Sequence, residues 1–307
     1  MFQTLDEVLN AARQREACTM AVAAAQDADV LKAVCAARDA GLIRPLLLGE
    51  KSAIREAAGE AEVSVREEEI LDIPDKTEAC RRAALLARDG KADLIMKGGI
   101  DTASVMKAVL SREMNLRESS LISHVAVMEV PGYDRLFYLT DSSINIAPTL
   151  EQKAAILQNA VEVAHALGNE EPKAAVLCAL ETVNPKMKST VDAYELKLMN
   201  QRGELTGCLV DGPLALDESI SEEAARHKKI EGPVAGHAEI LLVPDVECGN
   251  ALNKAMVYFG HAQKAGIVMG ARIPVVLTSR NASPRSKLNS IALAVLIADR
   301  QRRKSHA

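Results

Sequence analysis

Residues 274–298 read PVVLTSRNASPRSKLNSIALAVLIA. The run Val275-Val276-Leu277 is apolar, uncharged and partly β-branched, which suits a strand buried on both faces. It ends in Thr278-Ser279-Arg280. Ser283-Pro284 then reads as an N-cap followed by a proline at the first helical position. Ile291 to Ala298 is apolar all round, so the helix that carries it belongs in the interior. Strand, polar loop and buried helix form one unit of an α/β protein. The loop and first turn gather the hydroxyls of Thr278, Ser279 and Ser283 with the cations Arg280, Arg285 and Lys287. A helix N-terminus offers free N–H groups and a partial positive charge. Hydroxyls and guanidinium groups placed there make an anion site, most naturally for phosphate. A solvated loop with basic residues fits the same stretch.

Outward from this unit, short apolar runs alternate with helical segments, the pattern of a parallel or mixed sheet flanked by helices. Strands are expected at Met20–Ala25, Pro45–Leu48, Leu94–Met96, Leu121–Val130, Leu136–Thr140, Lys173–Leu180, Leu205–Val210, Ile240–Val243, Ile267–Met269 and Ile273–Thr278. Val30–Ala40 has helical spacing and is closed by Gly41, and Asp75 caps a helix that runs to Asp89. Thr149 with Gln152 makes a capping box for a helix that ends at Gly168. Ser219 with Glu222 suggests another cap, and Gly249-Asn250 is read as the opening of a helix containing Lys254.

The chain has 307 residues, 48% hydrophobic and 26% charged, enough for two domains with large cores. Aromatics are only 2% and Trp is absent, so base-stacking platforms for single-stranded nucleic acid are lacking. A net charge of −5 argues further against a nucleic-acid partner. No apolar run approaches roughly 18 residues, so no membrane partner is expected. The N-terminus is charged and amphipathic, without the apolar core of a signal peptide. Six scattered cysteines with no CxxC pair suit buried thiols in a reducing cytoplasm. The six histidines form no ligand pattern, so no metal is expected.

Five apolar runs end directly in polar residues: Lys97-Gly98-Gly99, Asp141, Glu181, Asp211-Gly212 and Ser279-Arg280. In open α/β sheets, ligands bind outside the carboxyl ends of strands. The expectation is a two-domain protein with an active-site cleft between the domains. The first domain takes residues 1–135 plus 280–307 and the second residues 136–279. Lys97-Gly98-Gly99 followed by Asp101-Thr102 is a strand–glycine–helix corner that suits a phosphate, though an ordinary βα turn uses the same glycines. Asp141 and Asn145 either bind a ligand or close their loop.

The order of several segments carries a resemblance. They are KGGIDTASVMKAVL from Lys97, SHVAVMEVPGY from Ser123, DSSINIAPTLEQKAAILQNAV from Asp141 and ALETVNPKM from Ala179. VDGPLALDESIS from Val210, GNALNK from Gly249 and VVLTSR from Val275 complete the set. Along nearly its whole length the chain resembles the phosphate acetyl/butyryltransferase family, on its butyryl-transferring branch. The resemblance implies an isocitrate/isopropylmalate dehydrogenase-like arrangement of two α/β domains, usually in a homo-oligomer in the cytoplasm. It implies reversible transfer of a short acyl group between coenzyme A and inorganic phosphate. Acyl-CoA, CoA and phosphate are then the substrates, and no cofactor is needed.

Carried over residue by residue, Ser279 and Arg280 match the family's Ser-Arg pair at the phosphate. Arg280 would hold phosphate bidentately and stabilise an oxyanion, and Ser279 would donate a hydrogen bond. Lys107 stands where acetyl-transferring members carry an arginine, as a second cation or as a solvated helix lysine. Acetyl-transferring members also place a carboxylate seven residues past the serine, and here that position is Ser286, followed by Lys287. Either another group then supplies the base for the CoA thiol or the cations suffice without one. Glu181, Asp211 and His124 are the candidates, although a strand histidine is as readily a packed core residue. The candidate site is thus Ser279, Arg280, Glu181 and Asp211 as catalytic residues. Lys97, Gly98, Gly99, Thr102, Lys107, Asp141, Asn145, Gly212 and Asn250 are the substrate-binding candidates. The competing readings are a phosphate acetyltransferase, a metal-dependent dehydrogenase of similar fold and a non-catalytic binder of CoA or acyl phosphate.

Overall fold

The computed structural model describes residues 2–279 and 282–306. The chain forms two compact units. One is Leu121–Lys264, inserted in sequence into the other, which takes Leu5–Ser120 and the chain from Ala265 onward. The flanking unit opens with α1 (Leu5–Ala12), β1 (Cys18–Ala23), α2 (Ala28–Asp39), β2 (Ile43–Gly49) and α3 (Lys51–Glu60). It continues with β3 (Ile70–Asp72), α4 (Lys76–Arg88), β4 (Leu94–Lys97) and α5 (Thr102–Val109). The inserted unit holds β5 (Ser123–Glu129), β6 (Leu136–Thr140), α6 (Leu150–Ala166), β7 (Lys173–Leu177) and α7 (Lys188–Gln201). Then follow β8 (Leu209–Leu214), α8 (Leu216–Ile220), α9 (Glu222–His227), β9 (Ile240–Leu242) and α10 (Val246–Tyr258). After β10 (Gln263–Met269), β11 (Val275–Val276) and α11 (Pro284–His306) complete the flanking unit.

In the flanking unit the strands run in the order β3-β2-β1-β4-β11-β10, parallel except for the antiparallel β10–β11 pair. Val275 and Val276 are fully buried, as an uncharged central strand requires. α11 packs on α1 and α2 and against β11 and β4. Every side chain from Ile291 to Ala298 is buried, and each large aliphatic contributes about 1.5–3 kcal/mol. The local stops and starts are where chemistry puts them. Asp27 and Asp75 accept from the N–H groups of Val30 and Glu78 at 3.0 and 2.7 Å, and Gly41 ends α2 at φ +75.

The inserted unit orders its strands β5-β6-β9-β7-β8, with β5 and β6 antiparallel and the rest parallel. Its core gathers Met128, Phe137, Leu139, Leu177, Leu214 and Leu241. Both units are therefore α/β with a sheet flanked by helices, and the flanking and inserted sheets are each mixed.

Four sequence expectations need correction. The strand read as Leu205–Val210 is β8, Leu209–Leu214, so Asp211-Gly212-Pro213 lies inside it rather than beyond its end. Gly212 is required there because a Cβ would stand 2.9 Å from the Val176 side chain. Pro213 is tolerated because β8 is the last strand in its order. The helix expected to open at Gly249 starts at Val246, capped by Asp245, which accepts from Cys248 N–H at 2.8 Å. Ser221 rather than Ser219 is the cap here, at the start of α9, accepting from Ala224 N–H at 3.3 Å. β3 went unread because it is three residues long and follows three glutamates.

The units divide at 120/121 and 264/265, where the sequence reading placed 135/136 and 279/280. The observed division keeps the β5–β6 hairpin whole. Among the described residues, no helix is long and apolar enough to cross a membrane.

Candidate active site

In the flanking unit, three strand ends lie side by side. β1 pairs with β4 through Ala23 and Lys97, and β4 pairs with β11 through Met96 and Val276. The segments that follow, from Ala24, Gly98 and Leu277, leave the sheet along one edge.

Gly98 and Gly99 do not present free N–H groups to this edge. Gly98 N–H donates to Ala23 O at 2.9 Å and Gly99 N–H to Ala24 O at 2.7 Å. A Cβ on Gly98 would sit 2.1 Å from Ala24 O. The glycines are there for the close approach of two backbones, the ordinary βα-turn alternative for this corner. Lys97 is buried, and its ammonium donates to Gly98 O at 3.3 Å and Ile100 O at 3.1 Å. Lys76 reaches Gly99 O at 3.0 Å, so two ammonium groups fix three consecutive loop carbonyls. Asp101 caps α5 through Ser104, whose backbone N–H and then hydroxyl hold the carboxyl below its usual range. Thr102 is exposed in the first turn, whereas Lys107 is exposed in the last, about 7 Å further along the axis.

Ser279 is exposed just after β11, and its carbonyl accepts from Ala282 N–H at 3.0 Å. Arg280 lies outside the described residues. Ser283 caps α11, accepting from Ser286 N–H at 3.2 Å, with Pro284 in the first helical position. Of the other two cations in this stretch, Arg285 pairs with Asp6 of α1. Lys287 is buried and donates to Ala282 O.

In the inserted unit, Asp141 is buried after β6 and accepts from Ser143 N–H at 2.8 Å and Ile144 N–H at 3.0 Å. Asn145 donates to it through its amide side chain at 2.6 Å. Asp141 and Asn145 therefore close their loop. Asp211, within β8, pairs with Lys197 at 2.7 Å and accepts from Gly212 N–H at 2.8 Å. Glu181, after β7, is half-buried beside Lys228 at 3.3 Å. Its own backbone N–H, then the Lys228 ammonium, hold its carboxyl below the usual range. Asn250 is exposed on α10 and donates to Ser142 O at 3.4 Å.

A buried polar chain beneath these residues was not legible in the sequence. Lys264 donates to Asn253 at 3.2 Å, Asn253 to the Ser142 hydroxyl at 3.1 Å, and Ser142 lies 3.4 Å from His124 Nδ1. Burial pushes His124 down to about 4; Asp141 opposes this and Lys264 adds to it. The imidazole is therefore neutral near pH 7. The one available signal was the spacing of Gly249 and Asn253, which puts both on one face of α10.

The candidate residues thus divide between the units. Lys97, Gly98, Gly99, Thr102, Lys107 and Ser279 stand on the flanking unit. Asp141, Asn145, Glu181, Asp211, Gly212 and Asn250 stand on the inserted one.

An α/β chain whose central strand β11 leads past Ser279 to a capped helix has the architecture in which ligands are met at strand ends. The profile of the family described as Phosphate acetyl/butaryl transferase matches residues 75–295, and the chain belongs to this family of acyltransferases. It is 44% identical to a phosphate butyryltransferase of Clostridium beijerinckii over 98% of this chain and 100% of that one. It is also 44% identical to a phosphate acetyltransferase of Rhizobium meliloti, over 97% and 94%. The crystal structure of a branched-chain phosphotransacylase from Enterococcus faecalis superposes with a TM-score of 0.80 at 35% identity, covering 92% of this chain and 99% of that one.

Proposed function

We propose that the chain exchanges a short acyl group, butyryl by preference, between coenzyme A and inorganic phosphate. Coenzyme A is a substrate here and no further cofactor takes part. In the forward direction a phosphate oxygen attacks the thioester carbonyl, giving a tetrahedral oxyanion. Its collapse breaks the C–S bond, releasing acyl phosphate and the CoA thiolate, which takes up a proton. Arg280 holds the phosphate and faces the developing oxyanion, and Ser279 donates to the same group. In reverse, a carboxylate accepts the thiol proton before sulfur attacks the acyl phosphate. Glu181 suits this role better than Asp211, because Asp211 lies within β8 and is held there at 2.7 Å by Lys197 of α7, whereas Glu181 follows β7 and its lysine stands at 3.3 Å.

The observation that carries the reading is the placement of Ser279 between the end of β11 and the capped start of α11, within the matched family segment. Its test is thiol release from acetyl-, propionyl-, butyryl- and isobutyryl-CoA, with and without phosphate, in wild type and Arg280→Ala. Phosphate-dependent release, fastest with butyryl-CoA and reduced about 10²–10³-fold in Arg280→Ala, is expected. Release independent of phosphate, or an unimpaired Arg280→Ala, rejects the reading.

Acetyl transfer is the second reading, favoured by the equal identity to the Rhizobium meliloti enzyme. Each buried methylene is worth about 0.8 kcal/mol, so two of them separate butyryl from acetyl by roughly tenfold. A kcat/KM for acetyl-CoA equal to or above that for butyryl-CoA selects it. The reading also places the protein in the cytoplasm as a homo-oligomer. Tyr258 and Phe259, exposed at the end of α10 in a chain with only 2% aromatics, supply apolar surface for self-association. Light scattering coupled to size exclusion tests this, and a monomer at assay concentration removes it.

A further inference from the structure

We propose that His124 is a catalytic residue of the uncharged-donor kind, its Nε2–H meeting the carbonyl oxygen of the acyl group; the inference rests on the acyl-transfer reading. His124 is the second residue of β5, and the Thr140 hydroxyl at the end of β6 donates to its carbonyl at 2.9 Å. β5 runs antiparallel to β6, whereas β9 runs parallel to β6 and β7 parallel to β9. The start of β5 therefore shares the rim where β6, β9 and β7 present their carboxyl ends, the side on which α/β sheets meet ligands.

A chain of hydrogen bonds fixes where the imidazole proton sits. The Lys264 ammonium can only donate, so the Asn253 amide turns its oxygen toward it, at 3.2 Å. The Asn253 nitrogen then donates to the Ser142 hydroxyl at 3.1 Å. Ser142 is fully buried, and His124 Nδ1 at 3.4 Å is the one acceptor for its proton among the described residues. Nδ1 therefore carries no hydrogen, and the proton stands on Nε2. Nε2 has no partner among the described residues, yet it is not one of the polar atoms sealed in without one, so it reaches the surface. His124 keeps 8% of its surface exposed, with an N–H donor at the outer end of the ring.

The charges around the ring suit an uncharged acceptor. Asp141 acts on it from the end of β6 and Lys264 from β10, one of each sign. Burial is the largest influence and keeps the imidazole neutral. A neutral ring beside a carboxylate does little for a phosphate dianion. It does fit a carbonyl, and its bond strengthens as that oxygen gains charge in the tetrahedral intermediate. The same chain argues against His124 as the base for the thiol, because its one basic nitrogen is engaged by Ser142.

The test joins kinetics to a spectroscopic readout on the full-length protein. Loss of one preorganised donor in His124→Leu should lower kcat for phosphate-dependent thiol release by about 10²–10³-fold, with phosphate KM within about twofold of wild type. His124→Gln, which offers an amide N–H near the reach of Nε2, should recover part of the loss. The C=O stretch of isotope-labelled butyryl-CoA, bound without phosphate, should move to lower frequency in wild type and return toward its solution value in His124→Leu. A wild-type kcat in His124→Leu, beside phosphate-dependent turnover in wild type, overturns the inference and leaves the acyl-transfer reading standing. A lowered kcat with the same carbonyl band as wild type also overturns it, because that is the mark of a packing role. So does an acidic limb near about pH 6.5 in wild type that His124→Gln abolishes, the mark of a base. Thiol release that does not depend on phosphate in wild type removes the acyl-transfer reading itself, and the inference with it. If His124→Leu does not fold, Ser142→Ala, which frees the ring from its fixed tautomer, is measured for the same outcomes, with an expected loss in kcat of about tenfold.

Discussion

The side-chain amide of Asn145 donates to the Asp141 carboxylate at 2.6 Å and to the Ile122 carbonyl at 2.9 Å. It thereby ties the loop after β6 to the segment that leads into β5. With the N–H groups of Ser143, Ile144 and Asn145 also aimed at Asp141, four donors converge on one buried carboxylate. Asn145→Ala removes one of these four donors and leaves Ile122 O without its partner. It should lower unfolding stability by about 1–3 kcal/mol, measured by urea denaturation. An unchanged midpoint would mean that the loop does not depend on this bridge.

His124 makes stability depend on pH. Its folded pKa is about 4 against 6.5 for the free side chain. Between these values the unfolded chain binds a proton that the folded chain does not, so stability rises with pH. The contribution is complete above about pH 6.5 and is lost as pH falls toward 4, by roughly 3 kcal/mol in total. His124→Gln should flatten the stability curve across that interval. Equal slopes in the two proteins would show that the imidazole is not the group responsible.

Two glycines should respond in opposite senses. Gly98→Ala forces a Cβ into backbone oxygen, so it should cost about 3 kcal/mol or more, at the upper end of overpacking. Gly59, inside α3, has open space where a methyl group would stand, with nothing within 4 Å. Gly59→Ala should therefore stabilise by about 0.5–1 kcal/mol. Thermal melts of both variants decide the matter. A stable Gly98→Ala would show that the loop can yield.

The two carboxylates proposed for thiol chemistry should separate. Glu181→Gln should lower kcat by about 10²–10⁴-fold. In wild type the acidic limb of the pH–rate profile should lie below the usual carboxylate range, because the Glu181 backbone N–H and Lys228 stabilise the anion. Asp211→Asn should keep most of the rate and lose stability, since it breaks the ion pair between β8 and Lys197 of α7. Steady-state rates with unfolding curves for both variants make the comparison. A crippled Asp211→Asn beside a normal Glu181→Gln reverses the assignment.

What the sequence disclosed follows from range. Ser283 before Pro284, and Thr149 with Gln152, were readable because a cap and its partner lie within one turn. The apolar run from Ile291 to Ala298 declared a buried helix by itself. Gly212 looked like a turn because its real constraint, the Val176 side chain on β7, is remote in sequence. Gly98 suggested a phosphate cradle for the same reason, since Ala23 and Ala24 lie on and just beyond another strand. The roles of the charged residues were hardest to read. Nothing in the letters distinguishes Lys107, in solvent, from Lys287, in the interior, or Arg285, paired with Asp6, from a ligand-binding arginine.

β11 sits between β4 and β10, yet it is made from residues far downstream of β4, after the whole inserted unit. On the ribosome, Leu121–Lys264 is a continuous segment that can collapse as it emerges. The half made first must wait, with the edge of β4 uncovered, until β11 has left the exit tunnel. Ser279 and α11 arrive together at that moment, so a prematurely terminated chain lacks both the final strand and the serine proposed to meet phosphate. Nascent chains stalled before residue 275 are thus prone to pair through an open strand edge.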